Sequence, residues 1–345
     1  MPVFYDKLKD ELTFPMSYLN SKESFSNWQK KAKNKVIELA MIKDDNTKYN
    51  PVVIDEIDNG KYISKKVVFN ITSQSRVLSY LLVPKGKGPF PAVIALHDHG
   101  ANFDIGKEKV IKPWGDKSKQ SCAEKWSQKY FSGQFIGNEL ANRGYVVLSV
   151  DAIGWGDRKG MTYDNQQAFA SNLFNIGYSY SGLIASEDIR AANFLYSLDI
   201  VDKKNVISFG FSMGAFRSWQ LSALSDDITA SVSICFMTTT KGVMVEGNNI
   251  LEGASSYAML HPGLANYLDI PDVASIAAPK PSLFFSGEKD HLFTLDSINK
   301  AYDKMKKIWK KQGSTNKLTT KIWPTGHICT KEIQDEVYLW LDKER

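Results

Sequence analysis

Val206-Ile-Ser-Phe-Gly-Phe-Ser-Met-Gly-Ala215 is the stretch whose reading settles the architecture of this chain. An apolar run, residues 206–209, leads into Gly210-Phe211-Ser212-Met213-Gly214, a G-x-S-x-G pattern. Residues 215–224 then lack Gly and Pro and read as a helix. Strand, tight turn and helix are the context in which G-x-S-x-G presents a nucleophile. A serine on so sharp a turn is held at strained backbone angles, and its neighbours two before and two after must lack side chains. Its Oγ then stands clear of the sheet, at the positive end of a helix.

Outward from that elbow, short apolar runs alternate with helical patterns. Residues 92–96 form a strand of the kind buried on both faces, ending in His97-Asp-His-Gly100. Residues 144–150 form another, ending in Asp151-Ala-Ile-Gly-Trp-Gly-Asp-Arg158. Runs at 230–236, 282–286 and 319–323 follow, the last two ending in Gly287-Glu-Lys-Asp-His-Leu292 and Pro324-Thr-Gly-His327. Between them, residues 135–143, 181–198, 295–312 and 331–341 read as helices. Upstream, residues 62–71 and 77–83 read as an antiparallel hairpin.

The expected fold class is α/β: a mostly parallel sheet of about eight strands flanked by helices. Residues 1–60 are expected to be a helical extension, with Trp28, Ala32, Val36, Leu39 and Ala40 at near 3.6 spacing. Residues 61–345 form the main domain, with irregular insertions at 101–133 and 238–273 and a further irregular stretch at 159–178. Ligands of such sheets bind beyond the carboxyl ends of the strands. His97, Asp151, Ser212, Asp290 and His327 all fall there.

A serine hydroxyl is a poor nucleophile until a base takes its proton, and histidine has the suitable pKa. A carboxylate must then orient the imidazole and stabilise its charged form. In the chain order serine, acid, histidine that accompanies this elbow, His327 is the natural base and Asp290 the acid. His291 is the rival base, but it adjoins Asp290 and direct neighbours do not readily face each other. Glu288 is the second candidate acid. The oxyanion hole needs two backbone N–H groups. One is expected from Met213; the other from Asp98, taken first, or His99. His97 is expected to brace this loop. His99, Trp155 and His261 are candidate substrate-lining residues, and Trp114 lies in a segment that could also border the cleft. Arg217 reads as half of a buried ion pair with Asp188 or Glu187.

Composition sets the outer limits. Hydrophobic content of 43% and charged content of 23% belong to an ordinary globular protein. The net charge of +5 is dispersed, and the lysines of 304–321 read as a solvated helix face, so no nucleic-acid partner is expected. No 18-residue apolar run exists, so no membrane span is expected. The three cysteines, Cys122, Cys235 and Cys329, lack C-x-x-C spacing. That favours a reducing, cytoplasmic setting, or export if a signal peptide has been removed. Nucleotide and zinc-protease motifs are absent, and His97-Asp-His99 has no spaced partner to complete a ligand set. No cofactor and no metal are expected.

These segments resemble the α/β-hydrolase superfamily, on its dienelactone-hydrolase and acetyl xylan esterase-like side. The likeness rests on the run His97-Asp-His-Gly-Ala-Asn-Phe-Asp-Ile-Gly-Lys-Glu-Lys109, on Asp151–Arg158, on Gly210–Gly214, on Pro271-Asp-Val-Ala-Ser-Ile-Ala-Ala-Pro-Lys-Pro281, on Gly287–Asp290 and on Gly326-His327. It covers most of the chain from about residue 60 onward, and the Trp28 helix is similar to the lead-in of such esterases. It implies a serine esterase with Ser212 as nucleophile, Asp290 as acid and His327 as base. The implied partner is a small-molecule ester, a short acyl group on a sugar-like alcohol; a homo-oligomer stays open. Dienelactone hydrolases carry cysteine where Ser212 stands, and glucuronoyl esterases carry Arg where Met213 stands. A peptidase, amidase or lactonase on the same triad, or an inactive binding module, stays open as an alternative.

Overall fold

The computed structural model describes residues 3–246, 248 and 256–345. Positions 247 and 249–255 of the expected insertion at 238–273 lie outside them. Among the described residues, nine strands form one sheet: β1 Val52–Asp58, β2 Tyr62–Thr72, β3 Ser75–Pro84, β4 Phe90–Leu96, β5 Val146–Val150, β6 Val201–Phe211, β7 Ala230–Ile234, β8 Ser282–Gly287 and β9 Leu318–Trp323. Their spatial order is β1-β2-β3-β5-β4-β6-β7-β8-β9. β4 to β9 pair in parallel, while β1, β2 and β3 pair antiparallel with one another and β3 pairs antiparallel with β5. β5 lies on one side of β4 and β6 on the other, so the chain reverses its winding there. A crevice opens at such a switch point.

The period of two along a strand divides the core. Val93 and Ala95 of β4 pack on one face, with Leu140, Val337 and Leu341. Ala92, Ile94 and Leu96 pack on the other, with Ala191 and Leu195. The helix Phe25–Leu39 starts at Ser24, whose side chain accepts from the Asn27 N–H, and buries Trp28, Ala32 and Val36. Those residues join the core of the elbow helix around Phe216 and Trp219. Helix Leu295–Lys311 buries Ile298, Ala301, Tyr302, Met305 and Ile308, the face its spacing predicts. No helix among the described residues is long and apolar enough to cross a membrane.

Three segments differ from expectation. β1 lies within residues 1–60, where helix was expected, and is the strand beyond the anticipated eight. All seven of its residues are exposed, so it joins through backbone pairing to β2 and carries no buried face to betray it. The insertion at 101–133 contains the helix Lys117–Tyr130, capped by Asp116. Its buried residues are only Ala123, Trp126 and Ser127, too few to mark an apolar stripe. The stretch at 159–178 likewise contains the helix Tyr163–Asn175.

Candidate active site

Ser212 follows β6 directly and takes the N-cap position of the helix Met213–Leu224 with φ 57°. The flanking glycines are sterically required. A Cβ on Gly210 would stand 1.9 Å from the Gly214 carbonyl oxygen, and one on Gly214 would stand 2.1 Å from that of Leu96. The Ser212 N–H donates to Ile234 O at 2.8 Å, which ties the elbow to β7. The Ser212 Oγ is 2.8 Å from His327 Nε2, and His327 Nδ1 is 2.7 Å from Asp290 Oδ2. An ionised carboxylate only accepts, so Nδ1–H donates to Asp290 and Nε2 is free to accept from Ser212. The other Asp290 oxygen accepts the Leu292 N–H at 2.9 Å. Helix Leu295–Lys311 is capped by Thr294, so Asp290 is not its cap.

The chain thus brings Ser212, His327 and Asp290 together across 115 and 37 residues of sequence separation. Phe211 and Phe293 pack around the imidazole, with ring centroids 4.9 and 6.4 Å away. His291 lines the same cleft but is exposed, and Glu288 points to solvent. Cys235, at φ 59°, sets its thiol beside the pair. Its Sγ, an Asp290 carboxylate oxygen and a His327 ring nitrogen lie within 4.8 Å of one another. Burial, then the Asp290 charge, pushes its pKa well up, so the thiol stays protonated.

The His97-Asp-His-Gly100 loop closes the other side. Ala152 N–H donates to His97 Nε2 at 3.0 Å, which leaves the proton on Nδ1, 2.9 Å from Asp98 O. Burial, then the Arg217 and Lys109 cations, hold His97 well below the usual histidine pKa, so it stays neutral and braces the loop. His99 lines the cleft, stacks on Tyr163 at 5.4 Å and meets Gln166 Oε1 through Nε2 at 3.2 Å. Its burial brings its pKa down to about 4. Arg217 forms a two-pronged pair with Asp188, at 2.9 and 2.6 Å, whereas Glu187 pairs with Arg158 at 2.5 and 2.8 Å.

Two expected lining residues are elsewhere. Trp155 is fully buried and donates its indole N–H to His99 O at 3.0 Å. Gly154 and Gly156, both at positive φ, turn the chain so that the ring slides behind the loop instead of into the cleft. His261 lines a separate chamber, with Phe216 and Leu264. Phe236 and Met259 line both spaces and form the partition between them. Trp114 instead packs against the Tyr80 ring at a tilt, 4.8 Å between centroids, and donates to Asp55 Oδ2 at 3.0 Å, away from the cleft.

The cleft over Ser212 has a volume of about 610 Å³. Its walls are more aromatic than an open polar cleft would be: Trp126, Tyr130, Tyr163, Phe211, Phe236 and Phe293, with Lys129 among them. Trp126, Lys129 and Tyr130 come from the unforeseen helix. Beneath the loop lies a buried charge cluster that no spacing pattern signals. Lys107 Nζ is 2.7 Å from Asp151, 2.6 Å from Asp157 and 3.1 Å from Glu108, and Lys119 bridges Glu108 and Asp157. Lys109 is also fully buried. Only the likeness of the 97–109 run to hydrolase sequences pointed to this segment.

A family model described as the Abhydrolase family matches residues 3–312. The Bacillus subtilis (strain 168) protein YtaP, whose name assigns it provisionally to the hydrolases, is 25% identical over 282 residues, 81% of this chain and 88% of its own. A solved structure from Bacteroides fragilis NCTC 9343, described provisionally as an acetyl xylan esterase, superposes with TM-score 0.72 at 18% identity, covering 92% of this chain and 81% of its own. A glucuronoyl esterase from Solibacter usitatus gives TM-score 0.67 at 13% identity, covering 92% of each chain. At such identities the two solved structures establish the likeness of fold.

Proposed function

The chain belongs to the Abhydrolase family, and from that premise we propose that it is a serine esterase acting on small acyl esters of sugar-like alcohols. The observation that carries this reading is the unbroken relay from Asp290 through His327 to Ser212, at 2.7 and 2.8 Å. Heavy-atom distances in this range are what proton transfer to a general base requires.

In the proposed reaction, His327 Nε2 takes the Ser212 proton as Oγ attacks the ester carbonyl. Asp290 holds the Nδ1–H tautomer and stabilises the imidazolium that forms. The carbonyl oxygen becomes an oxyanion, held by the Met213 N–H at the head of the elbow helix and by an N–H of the 97–100 loop. Collapse of this intermediate expels the alcohol, which receives the proton from His327. Water, activated by the same imidazole, then frees the acid and restores Ser212.

Substrate class rests on two supports. The solved structures of similar fold carry sugar-ester esterase names. The walls contributed by Trp126, Tyr130 and Tyr163 offer flat apolar faces with polar tips, suited to the C–H face of a sugar ring. The test is a panel of acetylated monosaccharides and xylo-oligomers, p-nitrophenyl esters of increasing acyl length, lactones and p-nitroanilides. Turnover of the acetylated sugars, with kcat/KM falling as the acyl chain lengthens, is the expected result. Faster cleavage of the anilides or lactones would replace the esterase reading with an amidase or lactonase one.

A further inference from the structure

The loop that completes the oxyanion hole is gripped from behind, residue by residue. Arg217 Nη1 donates to His97 O at 3.2 Å. The His97 ring and Lys109 Nζ both reach Asp98 O, at 2.9 and 3.0 Å. Lys109 Nζ and the Trp155 indole both reach His99 O, at 2.8 and 3.0 Å. Lys109 is wholly buried. Its ammonium lies 3.6 Å from Asp98 Oδ1 and over the Trp126 ring at 4.8 Å.

Peptide planarity converts these grips into directions. In a trans peptide, the carbonyl of one residue and the N–H of the next point opposite ways. The His97 carbonyl faces the elbow helix: it bonds Arg217 of that helix, and its oxygen lies 3.1 Å from where a Gly214 Cβ would stand. The Asp98 N–H therefore points away from the elbow. The Asp98 carbonyl faces the buried Lys109, so the His99 N–H points the opposite way, away from Lys109, on a loop that lines the Ser212 cleft.

We propose that Lys109 is the positioning residue of the oxyanion hole, turning the His99 N–H, not the Asp98 N–H, towards the nascent oxyanion as partner of the Met213 N–H. This rests on the esterase reading. Lys109 touches no reacting atom and acts by holding the peptides 98–99 and 99–100 in one orientation. The Lys109 ammonium has three N–H donors, so it can bond both carbonyls at once and still face the Asp98 carboxylate.

The test compares Lys109→Met and Lys109→Gln with the wild-type chain. Measured quantities are the fraction of sites titrated by a fluorophosphonate, kcat and KM per titrated site on p-nitrophenyl acetate, and Ki for phenylboronic acid. The tetrahedral boronate places an oxygen where the oxyanion forms. Lys109→Met is expected to lower per-site kcat by about 10²-fold, the lower end of what losing one oxyanion donor costs. KM should stay within about threefold, and Ki should rise in step with the loss in kcat/KM. Lys109→Gln, whose amide N–H₂ can still donate, should fall between. If Lys109→Met does not fold, Lys109→Gln and the double variant Lys109→Met/Asp98→Asn, which removes the charge left unbalanced, carry the comparison. Per-site kcat and Ki close to wild type, with only the titrated fraction or the melting temperature reduced, would overturn the assignment. A wild-type chain inert to both ester and fluorophosphonate would overturn the esterase reading itself, and this assignment with it.

Discussion

Ser212→Ala is expected to lower kcat on p-nitrophenyl acetate by roughly 10⁴–10⁶-fold while leaving the fold in place. The loss is that large because the hydroxyl is the only group that forms the covalent intermediate. What remains comes from the oxyanion donors and from binding. KM should change little, since the Oγ contributes mainly to the transition state. Stability should be nearly untouched. The side chain makes no cap bond for its helix, and the tie to β7 runs through the backbone N–H. Alanine meets the same strain at φ 57° as serine does. The check is steady-state kinetics beside a thermal melt. Residual activity above a few per cent, in a preparation free of wild-type protein, would remove Ser212 from the reaction.

Asp290→Asn should lower kcat at neutral pH by about 10⁴-fold. The substitution keeps shape and volume, and its carbonyl oxygen can still accept the Leu292 N–H. What changes is the tautomer. An amide N–H₂ set against His327 Nδ1 asks that nitrogen to accept, which moves the ring proton to Nε2, where it can no longer take the Ser212 proton. The loss should appear in kcat, with KM nearly constant and the melting temperature within a few degrees. Glu288→Gln is the control, expected within about twofold of wild type because that side chain is exposed. If Asp290→Asn stays within tenfold of wild type while Glu288→Gln loses more, the acid has been misassigned.

The elbow was legible because few arrangements satisfy its steric demands. Gly210 and Gly214 sit where a Cβ would collide with backbone, and the apolar run and helix around them declare the context. Asp290 and His327 followed from their places at strand ends. Most strands were legible for a related reason: a strand buried on both faces must be continuously apolar, as Val146–Val150 and Ala230–Ile234 are. β1 left no such trace, since it buries neither face. The Lys107-Glu-Lys109 run was hidden by the usual rule that charge means exposure. Its burial depends on Asp151 and Asp157, 44 and 50 residues further on, and such partners are invisible to local pattern.

Trp155 and His261 show the limit of reading a site from strand ends. Both occupy segments that leave the sheet near the cleft, and both turn away from it. For Trp155 the deciding feature is a pair of left-handed glycine turns. For His261 it is the partition made by Phe236 and Met259. Likewise the choice between Asp98 and His99 as oxyanion donor depends on which way a peptide plane faces. In the arrangement proposed above, that facing is set by the neighbouring His97 ring together with buried donors as far as 120 residues away.

The most direct measurement is acid quenching of the wild-type chain during steady turnover of p-nitrophenyl acetate, followed by peptide mass spectrometry. The expected result is a single acetyl group on the peptide bearing Ser212, absent from Ser212→Ala and gone once substrate is exhausted. Full-rate hydrolysis with Ser212 never acylated, or acylation at another residue that tracks turnover, would contradict a reaction through the Ser212–His327–Asp290 relay.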